Sequence, residues 1–367
     1  MLINHYKTFM YQEIQTTLQK FLRDEQPFYA FRQPGEEVLH LSTIQAAEPF
    51  DYGVLDKLAT EQGFVMFPFS RQNEQGWWFT GDQLQEFAAP HRQESPADQT
   101  PLQVDESLSD FAAYSAQFKE MKAALNKGEV QKVILSRTLQ VNEALTYDIP
   151  EIFTRLLEQY PKAFTYLVAS RQTGIWMGAS PELLFSRQDG MCTTVSLAGT
   201  RSNDPADASW TQKEIEEQGL VSNYIDNLLK AFRVDRYQKE GPFIIKAGHL
   251  THLKTAYAFE DRSSFKLAQF VEALHPTPAL CGEPKEKAMQ LIHQVEKQDR
   301  SFYGGFLGPL NQGTINLYVN IRCMKVAPTH STIFAGGGLT RQSDLQSEWN
   351  ETVLKSKTLL SVITARP

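Results

Sequence analysis

The residues most suggestive of chemistry are two glutamates near the start of an amphipathic helix predicted over residues 209–232. Val221 and Ile225 mark its buried stripe, and Glu214 and Glu217 continue that stripe toward the N-terminus. Carboxylates on a buried helix face are costly unless a cation meets them. A hard divalent cation such as Mg²⁺ would meet this need, because it prefers oxygen ligands. The alternative is a first turn outside the core, where acidic residues simply favour the helix N-terminus.

The last helix, predicted to start near Ser343 with a capping box, carries the same arrangement. Glu348 and Glu351 share a face three residues apart, and Lys355 follows one turn later. Glu351 and Lys355 alternatively form an ordinary surface pair. Because apolar residues line two sides of this helix, we expect both glutamates to face inward. Carboxylates without a cation repel each other, so neutralising one of them is expected to stabilise the metal-free fold.

Two further titratable residues stand among apolar neighbours. Lys132 shares one face of a strand predicted over residues 130–137 with Val130 and Ile134. Desolvation lowers the pKa of an amine and would make Lys132 a general base; the alternative is a lysine that protects an edge strand. Glu182 precedes an apolar run, and such surroundings raise the pKa of a carboxyl and suit a general acid. The alternative there is a turn glutamate that reaches solvent.

Two loops are candidates for binding. A strand predicted over residues 331–335 ends at Gly336–Gly338, ahead of the last helix. Strand, glycines and helix N-terminus together predict an anion cradle of backbone N–H groups, although no Lys-Ser or Lys-Thr follows as in a nucleotide P-loop. Residues 274–282 contain prolines that exclude regular structure and predict a rigid loop presenting His275 and Thr277.

The elements around these residues are less distinctive. Residues 1–87 predict a helix over 11–23 and aromatic strands whose role is packing. The proline-containing segment 88–110 predicts a loop or linker. From residue 109 onward, helices and strands follow one another to the C-terminus, and no internal repeat is found.

Composition limits the classes of protein to which this chain can belong. The 367 residues are 41% hydrophobic and 22% charged, with a net charge of −7, which is ordinary for a globular protein. The sequence has no basic stripe of the kind that binds nucleic acid. We also find no apolar run long enough to span a membrane and no pattern typical of a signal peptide. Three widely spaced cysteines (Cys192, Cys281 and Cys323) predict reduced thiols in a cytoplasmic protein.

Taken together, these motifs resemble those of the chorismate-utilising enzymes. This family includes isochorismate synthase, salicylate synthase, anthranilate synthase component I and aminodeoxychorismate synthase component I. The matching segments, in family order, are Lys132–Arg137, Gly178–Leu183, Leu197–Arg201, Lys213–Glu217, His252–Thr255, His275–Pro278, Tyr303–Gly305, Ile321–Arg322, Phe334–Gly338 and Glu348–Glu351.

The resemblance implies an α+β fold of two large, mostly antiparallel sheets packed face to face with helices outside. Residues 1–108 would be a variable N-terminal part of the same fold, and residues 109–367 the chorismate-binding catalytic core. It also implies that Glu217 and Glu351 bind Mg²⁺, with Glu214 and Glu348 supporting through bound water. The implied substrate-binding residues are Gly199, Thr200, His252, Thr277, Ala279, Leu280, Tyr303, Arg322, Gly336, Gly338 and Lys355.

Within the family, the nucleophile separates the members. Ala198 stands where aminodeoxychorismate synthases have a lysine nucleophile, so that reaction is excluded. Lys132 matches the water-activating lysine of isochorismate and salicylate synthases, with Glu182 as the acid that protonates the departing C4 hydroxyl. We therefore expect a Mg²⁺-dependent isochorismate synthase, serving menaquinone or siderophore biosynthesis and acting on chorismate as a monomer.

Two alternatives remain at this stage. One is a salicylate synthase, which Tyr303 favours; the other is an anthranilate synthase component I that needs a glutaminase partner. Gln218 also departs from the histidine that usually follows the metal-binding glutamate, which predicts a changed metal affinity.

Overall fold

The computed structural model describes residues 2–57, 62–72, 74–89, 111–141, 148–202, 210–247, 250–262 and 265–363. For residues 2–11, 57, 202 and 247 it describes the backbone alone. The linker predicted over residues 88–110 lies outside these ranges except for Ala88 and Ala89.

The described chain alternates helices and strands. The helices are α1 (Leu2–Arg23), α2 (Val54–Lys57), α3 (Phe111–Lys127), α4 (Ile149–Gln159), α5 (Gln212–Ala231), α6 (Leu267–Leu274), α7 (Lys285–Val295) and α8 (Leu345–Ile363). The strands are β1 (Phe28–Arg32), β2 (Val38–Pro49), β3 (Gln62–Phe67), β4 (Trp77–Gly81), β5 (Gln85–Ala88), β6 (Lys132–Val141), β7 (Phe164–Ser170), β8 (Gly174–Ser180), β9 (Leu183–Gln188), β10 (Met191–Ser202), β11 (Gln238–Ala247), β12 (Leu250–Glu260), β13 (Gly282–Glu283), β14 (Phe306–Asn311), β15 (Thr314–Val319), β16 (Cys323–Val326) and β17 (Ser331–Leu339).

The strands form two antiparallel sheets that share the long strand β2. The first sheet has the order β5-β2-β1-β7-β8-β16-β17-β6-β13. The second has the order β2-β4-β3-β14-β15-β9-β10-β12-β11. Strands from the N-terminal hundred residues therefore belong to both sheets, while the domain boundary at residue 108 stays a prediction.

Aromatic side chains fill the space between the sheets. Phe164 on β7 stacks on Tyr318 of β15 with ring centroids 4.1 Å apart, and Tyr29 on β1 stacks on Phe64 of β3 at 5.0 Å. Each pair joins one sheet to the other and removes both rings from water. Aromatic pairs of this kind supply much of the core energy of a sandwich.

The helices cover the outer faces of the sheets. Leu18, Phe153 and Leu359 of α1, α4 and α8 pack on the first sheet. Ile225 and Phe270 of α5 and α6 pack on the second, and α3 and α7 form a further cluster beside β6. The predicted α+β architecture of two face-to-face antiparallel sheets with helices outside is confirmed.

Three local predictions were wrong, and each error bears on the site. The strand predicted over residues 314–325 is broken between β15 and β16, where Arg322 has a left-handed φ of 53°. The predicted strand 331–335 continues through Gly336–Gly338, which pair with Leu135 and its neighbours on β6. The glycines are therefore part of a strand and not a turn at a helix N-terminus, and Asp344 rather than Ser343 accepts the hydrogen bond from Ser347 N.

Candidate active site

A cavity lies beside the glycines of β17 and receives most of the residues predicted to bind substrate. Those that line it are Gly199, Thr200, His252, Ala279, Leu280, Tyr303, Arg322, Gly336, Gly338 and Lys355. Thr277 is buried and does not line the cavity. The fold thus gathers residues from sequence positions as distant as 199 and 355, although their roles as substrate ligands stay predictions.

Three glutamates meet at the glycine run. A Cβ atom on Gly337 would lie 3.2 Å from Glu348 Oε2 and 3.6 Å from Glu351 Oε1. A Cβ atom on Gly338 would overlap Glu217 Oε1. Glycine at these two positions leaves the space that the carboxylates of α5 and α8 occupy.

Each of the three carboxylates is paired with a lysine. Lys132 Nζ lies 2.9 Å from Glu217 Oε1, Lys355 Nζ lies 2.6 Å from Glu351 Oε1, and Lys213 Nζ donates to Glu348 Oε1. The premise behind the expected stabilisation, namely carboxylates without a cationic partner, was therefore wrong. For Glu217 we expect the opposite effect, because removing this carboxylate leaves the fully buried ammonium group of Lys132 without its partner.

The two glutamates of α8 differ in their electrostatics. Burial raises the pKa of Glu348, and the neighbouring charge of Glu351 raises it further. Burial also works to raise the pKa of Glu351, but Lys355 and then Lys213 lower it more, so its pKa lies below the usual value. Glu351 thus keeps its negative charge more readily than Glu348 does.

Glu214 and Gln218 on α5 point elsewhere. Glu214 Oε2 accepts a hydrogen bond of 2.8 Å from Thr211 N and completes a capping box, so it serves the helix N-terminus. Its supporting role at a metal stays a prediction. Gln218 Nε2 donates to Ser196 Oγ at 2.9 Å and to Thr255 Oγ1 at 3.2 Å, so this residue contacts β10 and β12 instead of the carboxylates.

The donors around Gly337 fit a hard cation such as Mg²⁺. They are carboxylate oxygens, and Glu348 Oε2 is buried without a hydrogen-bond partner among the described residues. Within the described ranges, no three His, Cys, Asp or Glu side chains are already arranged as a metal cage, because lysines hold the carboxylates. Glu217, Glu348 and Glu351 would hold the cation once their oxygens exchange a lysine for it.

Lys132 lies in the interior of the first sheet. Its strand β6 pairs with β17 on one side and with β13 on the other, so the edge-strand alternative is wrong. The side chain is fully buried and lies behind the cavity wall, since a Cβ atom on Gly338 would be 3.0 Å from Lys132 Cε.

Glu182 lines the cavity and is 4% exposed, so the alternative of a solvent-reaching turn glutamate is wrong. Burial raises the pKa of this carboxyl to about 8, although Lys132, Lys355 and Arg322 pull it in the opposite direction. A carboxyl with this pKa is protonated at neutral pH and can donate a proton in the cavity.

Arg322 is a cationic residue of the cavity wall and has a left-handed backbone conformation. Its NH1 donates to Thr358 Oγ1 at 3.2 Å, and its NH2 lies 3.4 Å from His252 Nε2. Burial, then Arg322 and Lys355, lowers the pKa of His252 to about 3, so the ring is neutral. With Nδ1 donating to Gly199 O at 3.1 Å, His252 Nε2 is left to accept from Arg322.

Sequence reasoning missed Arg300, which also lines the cavity. Its NH1 donates to Leu280 O at 2.8 Å and its NH2 to Ile134 O at 2.9 Å, while Glu296 neutralises its charge. Arg300 therefore ties the proline-containing loop to β6. Both Glu296 and Arg300 lie beyond the end of α7, so no helical pattern in the sequence indicated this pair.

Comparison with known proteins decides the family. A family model described as chorismate binding enzyme matches residues 69–364. The chain belongs to the chorismate-binding enzymes.

The relatives of this chorismate-binding enzyme include isochorismate synthases. It is 30% identical to isochorismate synthase EntC of Escherichia coli over 244 residues, which are 64% of this chain and 62% of that protein. It is 29% identical to isochorismate synthase MenF of Bacillus subtilis over 71% of this chain and 56% of the relative. The match thus spans less than two thirds of the length of these relatives.

Solved structures support the fold. MenF, the menaquinone-specific isochorismate synthase of Escherichia coli, superposes with a TM-score of 0.76 at 18% identity, covering 92% of this chain and 88% of that one. Anthranilate synthase component I of Streptococcus pneumoniae superposes with a TM-score of 0.67 at 16% identity, covering 91% and 90%. In the described ranges, no helix has the length and apolar character needed to cross a membrane.

The carboxylate cluster predicts a Mg²⁺-dependent stability. Mg²⁺ at a hundred times its Kd should stabilise the chain by about 2.7 kcal/mol, and Glu217→Gln and Glu351→Gln should each remove most of this gain. Without Mg²⁺, Glu217→Gln should cost about 3–5 kcal/mol, because it leaves Lys132 buried and unpaired. Thermal melts across a Mg²⁺ titration measure both effects. The exposed Glu216→Gln on the same helix is the control, and an unchanged Mg²⁺ response in both variants would contradict the assignment.

The raised pKa of Glu182 predicts a distinctive pH dependence of stability. Its pKa moves from 4.5 to about 8 on folding, so the folded state holds this proton more tightly than the unfolded chain. The resulting stability is fully present below pH 4.5 and is lost as the pH rises through about 8. Urea unfolding at pH 5, 7 and 9 should therefore show Glu182→Gln gaining stability relative to the unmodified chain as the pH rises. The exposed Glu13→Gln is the control, and parallel pH profiles would refute the assignment.

Proposed function

We propose that the chain is an isochorismate synthase, which isomerises chorismate to isochorismate. The observation that carries the proposal is the buried Glu182, whose pKa is raised to about 8, in a cavity of a chorismate-binding enzyme. Displacement of the C4 hydroxyl of chorismate needs an acid that still holds its proton at neutral pH, and Glu182 meets this requirement.

The relatives support the same reaction. EntC and MenF are isochorismate synthases, and the resemblance places the water-activating lysine of such enzymes at Lys132. Ala198 lines the cavity where aminodeoxychorismate synthases have a nucleophilic lysine, so a covalent lysine nucleophile is excluded, and the match of Lys132 favours water over ammonia as the nucleophile.

Chorismate carries two carboxylates, and the cavity offers cations for them. Arg322 forms no ion pair with a carboxylate in the described part of the chain, and a buried cation of this kind favours an anionic ligand. Lys355 Nζ donates to Gly336 O at 2.7 Å as well as contacting Glu351. A Mg²⁺ ion held by Glu217, Glu348 and Glu351 would supply a further positive charge for the ring carboxylate.

The chain's own residues then move two protons. Lys132 acts in its neutral form, after its ammonium group has lost a proton and left its ion pair with Glu217. The neutral amine takes a proton from the water that attacks C2, and the two ring double bonds shift as the bond from C4 to its hydroxyl breaks. Glu182 gives its proton to this hydroxyl, which leaves as water. One water molecule is added and one is released, so product and substrate have the same composition.

The proposed reaction also suggests where the chain works and which pathway it serves. We infer that the chain works as a cytoplasmic monomer on chorismate alone, in menaquinone or siderophore biosynthesis. Its three cysteines are free and buried, and the absence of a disulfide among them supports a reducing compartment.

A salicylate synthase is the second candidate, and Tyr303 favours it. This ring stacks on Phe334 with centroids 5.4 Å apart, and a Cβ atom on Gly336 would lie 2.8 Å from its hydroxyl. Salicylate formation needs a further step in which the enolpyruvyl group leaves as pyruvate.

A coupled assay separates the two candidates. We expect the purified chain with Mg²⁺ to consume chorismate without releasing pyruvate, so lactate dehydrogenase and NADH added to the reaction should show no oxidation. Lys132→Ala and Glu182→Gln should each lower kcat by about 10²–10⁴-fold, whereas the exposed Glu13→Gln should leave it unchanged. Pyruvate release equal to chorismate loss would identify a salicylate synthase. No consumption without ammonia would favour the anthranilate-type alternative.

A further inference from the structure

A second cavity adjoins the proposed active site. It has a volume of about 400 Å³, which is within the range of small-molecule sites. Pro181 and Arg322 line both cavities. The two cavities therefore share a stretch of wall at these residues. We call the second cavity the vestibule and define it by Tyr160, Lys162, Lys246, Arg322 and Thr358 of its wall.

The vestibule runs from the surface to the interior. Lys162 and Lys246 at its wall are exposed, whereas Arg322 is 7% exposed. A molecule that enters past the two lysines would thus reach the guanidinium group at the junction. The guanidinium group of Arg322 can exchange its present contacts for an anionic ligand, because these contacts are all long. They join it to Lys355 O, Thr358 Oγ1 and His252 Nε2 at 3.2–3.4 Å.

The charge of this wall is one-sided. It holds three cationic residues and no Asp or Glu, in a chain whose net charge is −7. None of the three forms an ion pair with a described carboxylate. This differs from the proposed active site, where each lysine beside the glycines has its own glutamate. A concave surface with one sign of charge concentrates ligands of the opposite sign.

We propose that the vestibule is an anion-capture site, in which Lys162 and Lys246 bind a small dicarboxylate and pass it to Arg322. The inference rests on the proposed function in one respect, namely that chorismate is the dicarboxylate. Because the lysines are exposed and remote from the reacting atoms, they act on capture and not on the chemical step.

The test is the double variant Lys162→Glu/Lys246→Glu. Its control is Lys20→Glu/Lys230→Glu, which makes the same change in net charge at exposed positions outside the vestibule. At low ionic strength, kcat/KM for chorismate should fall about 10-fold in the vestibule variant and stay within twofold in the control, with kcat unchanged in both. At 0.5 M KCl the difference should largely disappear, because salt screens exposed charges.

A binding titration separates the vestibule from the reaction. Chorismate is titrated calorimetrically into Glu182→Gln protein with and without the two vestibule substitutions, and its Kd should rise about 10-fold at low salt when they are present. Equal Kd values, or an equal loss in the control, would overturn the vestibule while leaving the proposed function intact. If the chain neither binds nor consumes chorismate, the proposed function fails. In that case succinate, another small dicarboxylate, is titrated into the same proteins. A Kd for succinate that rises about 10-fold with the vestibule substitutions, and not with the control substitutions, would support anion capture, and equal Kd values would overturn it.

Discussion

The structure depends on a compact set of opposite charges buried around three glycines of one strand. Glu217, Glu348 and Glu351 approach β17 because Gly337 and Gly338 have no side chains, and Lys132, Lys213 and Lys355 neutralise them. Burying one such charge alone would cost several kcal/mol. The cluster therefore persists only because two helices and two strands hold every partner in place at once, and the same arrangement leaves a buried, proton-bearing Glu182 beside it.

The two sheets serve as the frame for this cluster. Lys132 sits in the sheet interior between β13 and β17, and Glu182 follows β8, whose neighbour β16 begins beside Arg322. Arg300 links the ends of this frame by binding Leu280 O and Ile134 O. Glu182 lies in the short connection between β8 and β9, and Arg322 in the short connection between β15 and β16, so the flanking strands hold both side chains close to the frame.

The sequence predicted the carboxylate cluster and the family, because both leave local patterns in the chain. The inward faces of Glu217, Glu348 and Glu351 followed from helical periodicity, and the order of motifs indicated the family. The pairing of Lys213 with Glu348 could not be predicted, since the two residues are 135 positions apart and meet only in the folded chain. The left-handed break at Arg322 and the extension of β17 through its glycines likewise depend on tertiary contacts, which override local preference. Glu214 shows the converse, because the local capping box outweighed the buried stripe that the periodicity suggested.

Labelled water provides the most direct test of the central claim, that Lys132 in this cluster activates a water molecule for attack on C2 of chorismate. The reaction is run with chorismate and Mg²⁺ in H₂¹⁸O, and the product is analysed by mass spectrometry and NMR. The account predicts one ¹⁸O atom per isochorismate molecule, located in the new hydroxyl at C2, because that oxygen comes from water and the C4 hydroxyl is lost. Isochorismate without the label at C2 would show an internal transfer of the hydroxyl and would contradict the account.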